Sequence, residues 1–227
     1  MRSSLVVIAF AAVAGLSGVA HAQQQSPLSF EALAKSKAGQ WAEYTMVLKA
    51  TNQSMKMRYA IVEKTDKQVA LEIDSQTPVG PMLMHMAFEA AGPTAWKIAR
   101  ARLQMGAQTQ DIPKDQMAEG MIKKNDPPGK LIGTDQIKTI LGTLPCKHYQ
   151  KVLPKEMPGG GSTVDVWMND KVLPTGMVKM VNSLGVEITL SGTGTDAKAK
   201  LSLEGPPGQP APAAPAPAAP ATPPAKK

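Results

Sequence analysis

"PMLMHMAFEA", residues 81–90, places Met82, Met84, Met86 and Phe88 on alternate positions, with Leu83, His85 and Ala87 between them. Successive side chains of a strand point to opposite faces, so a two-residue period predicts a strand with three thioethers and a phenyl ring on one face. His85 falls on the other face. The same period runs back towards the N-terminus. In QVALEIDSQ (68–76), Val69, Leu71 and Ile73 alternate with Glu72 and Asp74. In SMKMRYAIVEK (54–64), Met55, Met57, Tyr59 and Ile61 alternate with Lys56 and Arg58, and in QWAEYTMVLKA (40–50) the apolar set is Ala42, Tyr44, Met46 and Leu48. Polar turns at 51–53 and 65–67 join these runs, which predicts an antiparallel meander.

Helical patterns flank the meander. Ser26-Pro27 followed by LSFEALAKSKAG has a capping residue, Pro at the first helical position and Gly39 as a stop, so it reads as a short amphipathic helix. In TAWKIARARLQMGA (94–107), Trp96, Ala99 and Leu103 fall at helical spacing between Thr94 and Gly106, which predicts a second helix. Residues 107–130 are polar and contain Pro113, Pro127 and Pro128, with a short helical turn expected over 115–122. Strands return with DQIKTILGTLPCKHYQKVL (135–153), bent at Gly142-Thr143, then TVDVWMNDKV (163–172), LPTGMVKMVNS (173–183) and GVEITLSGTGT (185–195). The expectation is an α+β domain: a strongly curved antiparallel half-barrel of about eight strands packed on two or three helices.

The ends set the boundaries. Arg2, the apolar run from Leu5 to Val19, and Ala20 and Ala22 around His21 read as a secretory signal peptide over 1–22, cut after Ala22. No later segment is apolar for long enough to predict a transmembrane helix. Residues 205–227 are almost entirely Pro, Ala and Gly, and too little apolar surface is available there to offset the entropy of ordering them. A disordered, extended tail is expected, with envelope contact as its candidate role. Residues 23–204 remain as one domain, periplasmic or secreted.

Composition narrows function. The formal net charge is +7, and loss of Arg2 leaves +6, but the cations are scattered and the aromatics few, which argues against nucleic acid as a partner. Cys146 is the only cysteine, so no internal disulfide forms. It shares a strand face with His148, two residues on, yet no third group is evident to orient a thiolate–imidazole pair, and a core cysteine is the expected role. The runs Gly159-Gly160-Gly161 and Gly192-Thr193-Gly194 lack the lysine and following helix of a phosphate loop and read as turns. Glu43, Glu72, Asp74 and Asp165 fall on polar strand faces, where solvation explains them. No enzyme and no cofactor are expected.

Methionine carries the functional reading. Met46, Met55, Met57, Met82, Met84, Met86 and Phe88 could be sheet core, or could line a cavity for an apolar ligand, since thioethers are flexible and polarisable. A third reading is a Cu(I) site, because thioethers are soft ligands and alternate residues lie ~7 Å apart along a strand. His85 faces away, so that site would draw on Met55 and Met57 together with Met82, Met84 and Met86.

The opening helix with GQWAEYTM, the strand CKHYQKV, the stretch TVDVWMNDKVLPTGMVKM and the closing GVEITL together resemble the lipoprotein-carrier fold of the LolA-like family of exported bacterial proteins. The resemblance spans most of residues 28–192. It implies an apolar concave surface that holds acyl chains, and it transfers no catalytic residue. The function expected is therefore a non-enzymatic exported protein that binds a lipid or another apolar molecule. The alternatives are a periplasmic Cu(I)-binding protein and a cell-envelope interaction module.

Overall fold

The computed structural model describes residues 28–203 apart from 78–79, 114–120, 125–126, 154 and 156–159, so the signal peptide expected over 1–22 and the tail expected over 205–227 lie outside the described residues. The helix α1, Phe30–Lys35, comes first. Ser29 caps it by accepting from the Ala32 N–H at 3.0 Å, and Lys64 Nζ donates to the carbonyls of Leu33, Ala34 and Ser36 at its other end. Among the described residues twelve strands follow: β1 (Trp41–Leu48), β2 (Gln53–Lys64), β3 (Gln68–Thr77), β4 (Gly80–Ala90), β5 (Ala95–Met105) and β6 (Gln108–Asp111) form the first half. The second half holds β7 (Met121–Lys123), β8 (Lys130–Thr139), β9 (Gly142–Val152), β10 (Thr163–Met168), β11 (Met177–Asn182) and β12 (Val186–Gly194).

All twelve belong to one open antiparallel sheet in the order β6-β5-β4-β3-β2-β1-β12-β11-β10-β9-β8, with β7 on the free side of β5. The expected α+β half-barrel of about eight strands on two or three helices is thereby corrected. Among the described residues a single helix of six residues is present, and the molecule is nearly all β.

The largest correction is 94–107, which is strand β5 and not a helix. Phe88 pairs with Ile98 but Ala87 pairs with Arg100, so Ala99 is an extra residue in a β-bulge. The bulge moves the inward set from Trp96 and Ile98 to Ala101 and Leu103, and the broken alternation imitates a helical period. The helical turn expected over 115–122 falls mostly outside the described residues, and Met121 and Ile122 belong to β7. Gly192 and Gly194 lie inside β12, not in a turn, where the Trp41 indole crosses them so closely that a Cβ on Gly194 would come within 2.5 Å of Trp41 Nε1.

The sheet bends around α1. Phe30 packs on Trp96 of β5 with ring centroids 6.5 Å apart, while Lys35 pairs with Asp170, in the loop between β10 and β11, at 2.9 Å. β5 and β11 are six strands apart in the sheet, ~29 Å if it were flat, and α1 is only ~9 Å long. The apolar side chains of the concave face join Leu33 of α1 in one core.

Candidate functional site

Cross-strand register assembles the concave face. Met46 sits opposite Met55, and Tyr44 opposite Met57. Ser75 lies between Met57 on one side and Met82 on the other, and Met84, Met86 and Phe88 pair with Ile73, Leu71 and Val69. The seven candidates Met46, Met55, Met57, Met82, Met84, Met86 and Phe88 thus share one face and one core, each no more than 7% exposed. They do not form a single tight cluster: β3 separates Met55 and Met57 from Met82, Met84 and Met86. Ser75 Oγ is buried in this lining with no hydrogen-bond partner. Two tyrosines brace the same face, Tyr44 OH donating to the Met177 carbonyl at 2.8 Å and Tyr59 OH contacting Met57 Sδ at 3.2 Å. Burial pushes both phenols well above their ordinary range.

His85 lies on the opposite, convex face, as the alternation requires. That face is not simply solvated. After β12 the chain turns back as a strap, 195–203, that crosses β1 to β5. Asp196 accepts from Trp41 Nε1 at 2.7 Å, and the Ala197 N–H donates to the Gly39 carbonyl at 2.9 Å. Glu72 accepts the N–H groups of Lys200 and Leu201, His85 Nδ1 meets the Leu201 carbonyl, and Arg102 Nη1 donates to the Ser202 carbonyl at 2.8 Å. Glu72, expected to be solvated, is only 2% exposed for this reason. Arg102 is also held by Asp111, whose carboxyl it keeps below the usual carboxylate range.

A cavity of about 280 Å³ remains under the strap, lined by Arg58, Ala60, Glu72, Asp74 and residues 196–200. No motif in residues 195–203 marks their return onto the sheet, so the two buried charges Glu72 and Arg102 were not legible as strap anchors.

In the second half of the sheet, His148 is held between Asp165 (Nε2, 2.8 Å) and Asp135 (Nδ1, 3.2 Å) and stacks on Trp167 with ring centroids 4.4 Å apart. Trp167 Nε1 donates to Asp135 at 2.7 Å. Cys146 is fully buried, its thiol donating to the Leu144 carbonyl at 3.4 Å, and burial, with Asp135 adding to it, raises its pKa. A buried thiol held in its neutral form fits a core residue. Among the described residues, no group of three or more His, Cys, Asp or Glu side chains is placed to hold a metal ion, and no helix is long and apolar enough to cross a membrane.

No family model matches the sequence, and no curated protein does. Among solved structures, the chain is similar to the hypothetical protein CT021 from Chlamydia trachomatis at 13% identity and a TM-score of 0.48, over 79% of this chain and 95% of that one. It is also similar to PNGF-II at 12% identity and a TM-score of 0.32, over 70% of this chain and 28% of that one. Both are likenesses of fold alone.

Proposed function

We propose that this is an exported, non-enzymatic protein that takes up an apolar molecule, an acyl chain above all, on the methionine-lined concave face of its sheet. The observation that carries the reading is the make-up of that face: six methionines line it, and two of them, Met57 and Met82, flank a buried Ser75 hydroxyl that has no partner. A core selected only for stability has no use for an orphaned hydroxyl, whose burial costs roughly 1–3 kcal/mol. In a ligand site it would meet a polar atom of the guest. The lining is closed without ligand, so uptake requires the unbranched thioethers to change rotamer and α1, only six residues long, to shift. The lipoprotein-carrier resemblance supports the same reading.

Native mass spectrometry of the protein purified from its own periplasm tests this. The expected result is a co-purifying apolar adduct that is lost when Met84 and Met86 are replaced by the larger, stiffer Phe. A mass equal to the bare chain, together with no uptake of a fluorescent fatty acid by the purified protein, defeats the reading.

A further inference from the structure

The strap cavity lies on the face of the sheet opposite the methionines, and its charges are unequally satisfied. Register places Arg58 of β2 directly between Glu43 of β1 and Asp74 of β3. Alternating charges across neighbouring strands ordinarily pair. Here both carboxylates are taken by lysines: Glu43 pairs with Lys56 at 3.3 Å, and Asp74 with Lys200. Arg58 instead lies over the Trp41 indole, its Cζ 4.1 Å from the ring centroid, with Nε buried and without a hydrogen-bond partner.

The other acids on the cavity wall are engaged as well. Glu72 accepts from two strap N–H groups, and Asp196 accepts from Trp41, within electrostatic reach of Arg58 but not ion-paired with it. The free capacity in the cavity is therefore cationic. Among the described residues neither Arg58 nor Lys198, the other basic side chain without an ion pair on this wall, has a carboxylate within salt-bridge distance. Ala60, directly opposite Trp41 and Glu72, leaves the floor open beside Arg58.

We propose that the cavity between the strap and strands β2 and β3 is a binding site for a small organic carboxylate, held by the Arg58 guanidinium against the Trp41 ring and closed by the strap. A guanidinium lying over an aromatic face keeps its outward N–H edge free, and that edge matches the two oxygens of a carboxylate. A volume of about 280 Å³, at the lower limit of small-molecule sites, restricts the guest to an acid of a few carbons.

The test is titration of the isotopically labelled full chain with sodium acetate, and separately with sodium phosphate, against sodium chloride at matched ionic strength. It is read by nuclear magnetic resonance on the Arg58 Nε–H and Trp41 Nε1–H signals. The expected result is a saturable shift of both signals with acetate. In Arg58→Gln the Trp41 response should be at least tenfold weaker, and in Ala60→Leu, which keeps the guanidinium and fills the floor, both should be lost while the melting temperature stays within a few degrees. Shifts no larger than those with chloride overturn the proposal, as does an acetate response that survives in both folded variants. Saturation by phosphate alone replaces the carboxylate class and overturns it too.

Discussion

Glu72 of β3 accepts the backbone N–H of Leu201 at 3.0 Å, a bond that joins positions 129 residues apart and fastens the strap to the middle of the sheet. The same carboxylate oxygen accepts from the Lys200 N–H at 2.8 Å and lies 4.0 Å from His85 Nδ1. Replacing Glu72 with Ala leaves two N–H groups without an acceptor. The expected cost is about 2–4 kcal/mol, measured by urea unfolding. Glu72→Gln, which keeps a carbonyl acceptor, should lose less. The strap residues should also become the first site of limited proteolysis in Glu72→Ala. A loss under about 0.5 kcal/mol with unchanged proteolysis would show that the strap is held elsewhere.

Gly194 provides the second test of the strap. A Cβ there would lie 2.5 Å from Trp41 Nε1 and 2.6 Å from Cε2, so Gly194→Ala must displace the indole. Displacement breaks the Trp41–Asp196 hydrogen bond and removes the ring from beneath Arg58. The expected destabilisation is about 1–3 kcal/mol, with a red shift in tryptophan emission as the indole gains solvent. An alanine variant with wild-type emission and stability would mean that Trp41 has slack to move.

Much of this architecture was legible in the residues and some was not, for physical reasons. β1 and β12, and β2 and β10 over part of their length, alternate buried with less buried positions, and alternation is what the sequence exposes. β5 was hidden because one bulged residue, Ala99, resets the phase, and a period read over so short a stretch cannot distinguish a reset strand from a short helix. The methionines were placed on one face, but whether that face is sealed depends on curvature, which no local pattern encodes. Glu72 was read as solvated, and Arg102 carried no signal, because what covers them comes from residues 200–202, about a hundred or more positions away.

Acid should weaken the fold through exposed and half-buried carboxylates. Glu187 is held below its ordinary range first by Lys179 and then by Lys49, at 2.8 and 3.2 Å, and Asp111 likewise by Arg102. A folded-state pKa below the unfolded value means that these groups stabilise the protein above the unfolded value, about pH 4, and that the contribution is lost as pH falls through the depressed values. Stability should therefore be level from neutral pH to about 5 and fall below 4. Glu187→Gln should flatten part of that fall, by at most about 1 kcal/mol because the group is solvent-screened. Melting temperature followed from pH 7 to 2.5 checks this, and an identical acid limb in the variant would remove Glu187 from the account.

Methionine oxidation measures how tightly the concave face is closed. Met105 ends the row Met57, Ser75, Met82, Met105 and is 41% exposed, while Met82 beside it is 7% exposed and Met84 and Met86 are 2% exposed. Oxidation needs access to the sulfur and converts an apolar side chain into a polar one, so buried thioethers react only when the core opens. Under dilute peroxide, peptide mass spectrometry should find Met105 oxidised first and Met84 and Met86 last, at least tenfold more slowly. Should the face open to admit an apolar guest, a saturating fatty acid will slow Met82, Met84 and Met86 further and leave Met105 unchanged. Equal slowing at Met105 would indicate a general effect of the fatty acid, and rapid oxidation of Met84 in the free protein would mean that the core is not sealed.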